Sequence, residues 1–185
     1  MSETVSLAHD TRDNKSNPSR GGYEKMSVGY YNSAGGPFEY FKYRADIARF
    51  IPVYKNRIVI ALRASAEFND SVGGSPMPFF GISRLGGYRT LPGFQHDRFY
   101  DNGRLFFNAE YRYNIWNWKD IGMEAVIGFS TGQVFHKIRT IQMRYFRNSY
   151  IVGLRPTYKG KVSFSAQVGF SDEGPEFYLK VGTPF

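Results

Sequence analysis

The chain has 185 residues, no cysteine, and 24 lysines and arginines against 16 acidic residues, a net charge of +8. That length suits one domain, and the missing thiols exclude a disulfide framework or a thiolate metal site. Mean hydropathy is −0.43, and no run approaches the ~18 apolar residues that a membrane-crossing helix needs. A barrel is not excluded, because half of its strand residues face water.

In chain order, nine segments alternate with period two, the mark of half-buried strands, and almost no helical periodicity is found. They cover 5–12, 21–32, 38–52, 57–68, 103–115, 121–135, 148–158, 161–172 and 176–185. Tight turns are expected near Tyr54–Asn56, Asn117–Asp120 and Lys159–Gly160, and two long loops at 69–102 and 136–147. Short turns on one rim and long loops on the other are the habit of outer-membrane barrels. With nine strands, counted back from a C-terminus on the short-turn side, the chain would start on the opposite side; with eight, the first segment not being one, both ends would lie on the short-turn side.

The faces agree from strand to strand. In 57–68, Ile58, Ile60, Leu62, Ala64, Ala66 and Phe68 alternate with Val59, Ala61, Arg63, Ser65 and Glu67. In 103–115, Leu105, Phe107, Ala109, Tyr111, Tyr113 and Ile115 alternate with Phe106, Asn108, Glu110, Arg112 and Asn114. The polar face also collects Lys42, Arg44, Asp46, Glu124, Arg155 and Lys180. The last strand puts Phe177, Leu179, Val181, Thr183 and Phe185 on one face, and a terminal phenylalanine there resembles the signal that directs barrels for insertion. A soluble sandwich also alternates, and would set the charges in solvent. The one-sided long loops and an aromatic content of 18% favour an all-β transmembrane antiparallel barrel occupying residues 1–185.

Lysines and arginines are scattered singly rather than clustered, which argues against nucleic acid. The surplus base has two readings: a solvated surface, or contact with anionic lipid through Lys137, Arg139, Arg144 and Arg147. Met1-Ser2-Glu3-Thr4 opens no basic-then-apolar segment, so no secretory signal is read there. An outer-membrane protein needs one, so the expectation is a mature or truncated form.

Met77-Pro78-Phe79-Phe80, Leu85-Gly86-Gly87-Tyr88-Arg89-Thr90-Leu91-Pro92-Gly93-Phe94, Arg98-Phe99-Tyr100-Asp101 and Glu110-Tyr111-Arg112 together form a recognisable pattern. It resembles the BamA/TamA superfamily of outer-membrane assembly and translocation barrels (the bacterial surface antigen family), whose sixth extracellular loop carries such a tip before a Glu-x-Arg strand. Asp10–Gly21, Tyr40–Tyr54 and Gly169–Gly174 with the final strand resemble other segments of that family in the same order. The resemblance implies the last nine strands of a sixteen-stranded barrel, as a fragment or as a miniature member closing alone or by pairing two copies. In the family a tip arginine pairs with carboxylates on facing strands. Here Pro92 stands at the arginine position and Ser130 at the matching aspartate. Losing one member alone would strand a buried charge at about 3–5 kcal/mol; losing both is coherent.

The resemblance therefore implies that the loop still tucks inward through the Pro92-Gly93 turn and Phe94. Arg89 or Arg98 is expected to reach Glu110, and Arg112, Glu124 and Ser130 to be lumen partners. The plainer alternative is an ordinary surface turn at Pro92-Gly93. No catalytic constellation is found: His9, His96 and His136 lie on separate segments, and no nucleophile elbow exists. The expected function is insertion of barrel proteins or passage of polypeptide, with no cofactor or metal. The expected partners are outer-membrane lipid, lipopolysaccharide, unfolded clients or secreted polypeptide, and a second copy of the chain. The alternatives are a passive barrel or pore without insertase activity, and a soluble sandwich binding an acidic ligand.

Overall fold

A computed structural model describes residues 1–33, 36–54, 57–162 and 164–181. Nine strands follow one another in a single antiparallel sheet. They are β1 (Ser2–Asp10), β2 (Gly21–Asn32), β3 (Glu39–Tyr54), β4 (Ile58–Ser71), β7 (Gly103–Trp118), β8 (Ile121–Phe135), β9 (Arg147–Tyr158), β11 (Ser165–Ser171) and β12 (Gly174–Lys180). Two-residue β10 (Lys161–Val162) pairs with β9 just ahead of β11, and β5 (Ser83–Leu85) with β6 (Phe99–Asp101) forms a hairpin inside the long loop. All nine expected strands are present. Their ends move by a few residues: β3 and β4 run further than expected, so the long loop starts at Val72. The expected turn at Tyr54–Asn56 lies partly outside the described residues, as do Gly182, Thr183, Pro184 and Phe185.

Hairpin chemistry explains the tight rim. Lys119 takes φ 52°, Lys159 φ 51° and Gly160 φ 72°, the left-handed conformations that two-residue turns require. The same rim holds the longer segment 11–20. Residues 36–38, segment 136–146, the 72–102 loop and the turn at Asp172-Glu173 occupy the other rim.

Burial is inverted relative to a water-soluble sheet. Glu67, Glu110, Arg112 and Arg155 are almost fully buried on the concave face, while Ile47, Leu62, Ile127, Leu154, Phe177 and Leu179 stand exposed on the convex face. A continuous apolar exterior of this extent is unfavourable in water and suited to lipid. Trp116, Trp118 and Tyr158 lie exposed near the tight-turn rim, where amphipathic rings favour a membrane interface.

Among the described residues β1 pairs only with β2, and β12 only with β11. The β11–β12 ladder has seven residue pairs, about half the length of its neighbours in mid-sheet.

Candidate functional site

The loop between β4 and β7 folds back over the concave face and carries a small core of its own. Leu85, Leu91 and Phe94 bury against Phe106 of β7, with Phe99 and Val134 packed beside them. Phe94 and Phe99 meet edge to face at 5.1 Å, a favoured aromatic geometry. Within the tip, the Gly86 N–H donates to Thr90 Oγ1 at 2.9 Å and the Gly87 N–H to the Phe94 carbonyl at 3.0 Å.

The tip sits on β11 and β12. The Gly93 N–H donates to the Tyr178 hydroxyl at 2.9 Å, and the Ser171 hydroxyl donates to the Gly93 carbonyl at 2.6 Å. Pro92 is buried over Gly169, where an added Cβ would lie 2.8 Å from the proline ring. Tyr88 packs against Tyr178 at 5.4 Å and its hydroxyl donates to Ser165 Oγ at 3.2 Å.

Two buried carboxylates anchor this arrangement. Glu67 accepts from Ser83 Oγ at 2.9 Å, fastening the β5 end of the loop. It also pairs with Lys42 at 3.3 Å, Arg104 at 3.3 Å and Arg44. Beneath the tip, Glu110 receives both terminal nitrogens of Arg155 at 3.0 Å each, and Arg112 Nε at 3.1 Å. A two-pronged arginine–carboxylate contact is the strongest form of this interaction. The Gln167 amide oxygen, with the amide turned to satisfy its neighbours, accepts from Arg155 Nε at 2.6 Å.

Here the sequence-based pairing is corrected. Arg98 pairs with Glu173 at 2.9 Å on the long-loop rim, and Arg89 is exposed with no carboxylate partner among the described residues. Neither reaches Glu110. Arg155, which stands opposite Glu124 on the neighbouring strand, takes the place instead and reaches Glu110 across β8. Ser130, buried, accepts from Asn108 at 2.7 Å rather than facing an arginine. Of the residues marked in the sequence, Leu91, Pro92, Gly93 and Phe94 come together at the tip, with Gly86 and Gly87 bonded behind it. Glu110, Arg112 and Glu124 meet beneath. Phe177, Leu179 and Val181 lie apart from them on the convex face.

Segment 11–20, from the tight-turn rim, reaches the same network and was not expected to. Arg112 donates to the Pro18 carbonyl at 3.2 Å, and the Asn17 amide donates to Glu124 at 2.9 Å. Asn14 spans to the Gly160 carbonyl at 3.3 Å. The concave face is thus covered from both rims. Burial pushes the Asp13 carboxyl up, but the Ser19 hydroxyl and the N–H groups of Ser19, Arg20 and Asn14 outweigh it and hold it below the usual carboxylate range. The order that Asp13 contributes is therefore fully present above the unfolded carboxyl value and lost as pH falls through the folded one. Trypsin cleavage at Lys15 and Arg20 is expected to be slow at neutral pH. After brief exposure to acid below about pH 4, a pulse of an acid-active protease should cut this segment first.

A profile of the Omp85 superfamily domain matches residues 1–175. The chain belongs to the Omp85 superfamily. A search of curated proteins finds no match. Among solved structures the fold is similar to that in the crystal structure of BamA from Haemophilus ducreyi lacking POTRA domains 1–3, with a TM-score of 0.77 at 14% identity. That likeness covers 98% of this chain and 42% of the BamA chain. This Omp85 chain thus spans less than half of the solved relative. As an Omp85 barrel-type sheet it resides in the outer membrane of a Gram-negative bacterium, and the soluble-sandwich reading is overturned. In this Omp85 chain the inward loop is held through Gly93 on the last two strands, above the Arg155–Glu110 pair.

Proposed function

We propose that the chain takes part in inserting barrel proteins into the outer membrane or in passing polypeptides across it, by non-covalent strand pairing. The observation that carries this reading is the pair of free edges. β1 and β12 each have one unpaired side among the described residues, and an exposed edge is a template for an incoming strand. The proposed partners are unfolded barrel strands or secreted polypeptide, with outer-membrane lipid and lipopolysaccharide around the convex face. A second copy of the chain, or further strands of a longer chain, would close the sheet between turnovers.

A photo-activated cross-linker at Leu179 on β12 or Val5 on β1 tests this in growing cells. Adducts with newly made barrel proteins are expected from both edges and not from Val152 in mid-sheet. Adducts with lipid alone, or only with a second copy, would favour the passive barrel instead. An open anion-preferring pore is the weaker form of that second reading. Lys42, Arg44 and Arg104 are committed to Glu67, Arg63 to Asp46 at 3.3 Å, and Arg155 and Arg112 to Glu110.

A further inference from the structure

The convex face carries a trench whose shape follows from the strand register. Leu7, Met26, Ala45, Ala66 and Leu105 stand side by side on five successive strands, and Gln133 continues the row on the sixth. The two alanines in mid-row are overshadowed by Tyr43 and Phe68 one step along their strands, which leaves a groove running across the sheet. Its volume is about 650 Å³, and Ile138 and Ile141 overhang its end at the long-loop rim. Five strands at ~4.8 Å spacing make it about 19 Å long, comparable with the ~15 Å of hydrocarbon in one leaflet.

A further observation identifies the occupant. The overhanging segment, residues 136–147, contains Lys137, Arg139, Arg144 and Arg147 and no acidic residue. The first three have no carboxylate partner among the described residues; Arg144 bonds only the Tyr145 hydroxyl. A greasy trench with a cationic rim above it matches an amphiphile with an apolar chain and an anionic head.

We propose that this trench binds one acyl chain of a lipid whose headgroup carries net-negative phosphate, with the phosphate met by Lys137, Arg139 and Arg144. This does not rest on the assembly activity; it needs only the barrel-type sheet in its membrane. Bulk acyl chains touch the whole convex face, but among the described residues this trench joins a chain-shaped recess to a cluster of cations without carboxylate partners. The cations stand on the long-loop rim, the outward side of an outer-membrane barrel, so the occupant is the phosphorylated glycolipid of the outer leaflet.

The test is native mass spectrometry of the full chain folded in neutral detergent, with phosphatidylglycerol, lipid A or phosphatidylcholine added at equal concentration. One equivalent of an anionic lipid is expected to persist where phosphatidylcholine is stripped. Substituting Lys137→Gln, Arg139→Gln and Arg144→Gln together should reduce that preference by about tenfold or more. Ala45→Leu with Ala66→Leu, which fills the trench, should abolish retention, whereas Ala125→Leu elsewhere on the convex face should not. Preferential retention of lipid A would support the glycolipid, and equal retention of phosphatidylglycerol would overturn that assignment. A filled-trench variant that folds, by its heat-dependent gel shift, and keeps its lipid would overturn the proposal. If that variant does not fold, unchanged headgroup preference in the triple glutamine variant would overturn it equally.

Discussion

Glu110→Ala is expected to destabilise the folded chain by about 3–5 kcal/mol, because it leaves buried arginines without their carboxylate. Arg155 is 0% and Arg112 2% exposed, so neither can recover its hydration without the tip loop and segment 11–20 lifting away. The measurement is the urea midpoint for unfolding from lipid vesicles, read by the fluorescence of Trp116 and Trp118. A companion variant separates charge from packing. Glu110→Ala combined with Arg112→Met and Arg155→Met removes the Glu110 triad and leaves Glu124 to its Asn17 hydrogen bond, and apolar replacement of a buried ionic triad is often neutral or better. The triple variant should therefore be more stable than the single one. Equal midpoints for Glu110→Ala and the unsubstituted chain would mean that the arginines are hydrated, and the anchoring account would fail.

Gly93→Val should unseat the tip. Gly93 has φ +94°, which costs a side-chain-bearing residue about 1–2 kcal/mol by itself. An added Cβ would also lie 2.7 Å from the Phe170 nitrogen and 2.8 Å from that of Ser171, atoms of the β11 backbone that cannot swing aside. Gly73→Val is the matched control: its φ is +60°, but nothing lies within 4 Å of an added Cβ. Trypsin should cut the Gly93→Val protein at Arg89 and Arg98 many times faster than either the control or the unsubstituted chain. If the reading under Proposed function is right, the same variant should also lose assembly activity, since the tip holds β11 and β12 in place. Equal cleavage of Gly93→Val and Gly73→Val would show that the tip is not seated on β11.

These two sites differ in how far sequence reasoning reached them. The inward turn at Pro92-Gly93 was legible because a Pro-Gly pair restricts the backbone locally, and Phe94 beside it needs an apolar home. The partner of Glu110 was not. Arg89 and Arg98 are near the tip along the chain, but Arg98 is drawn to Glu173 in the β11–β12 turn at the long-loop rim. Arg155 is 45 residues from Glu110, and it arrives only because the β7–β8–β9 register places both on the concave face with one strand between them. Asn17 and Pro18 were missed for the same kind of reason. A ten-residue segment of polar and turn-forming residues reads as a surface loop, and nothing in it announces the Arg112 guanidinium that captures its carbonyl.

Nine strands, their apolar and charged faces and the tight rim follow from period two and from turn residues, set by neighbours a few residues apart. Whatever depends on register between distant strands is visible only in the folded chain. That includes Arg155 under Glu110, segment 11–20 against Arg112, and the alanines that line up beneath Ile138 and Ile141. Register is set by all ladders together, and one residue of slip would turn each of those side chains to the other face.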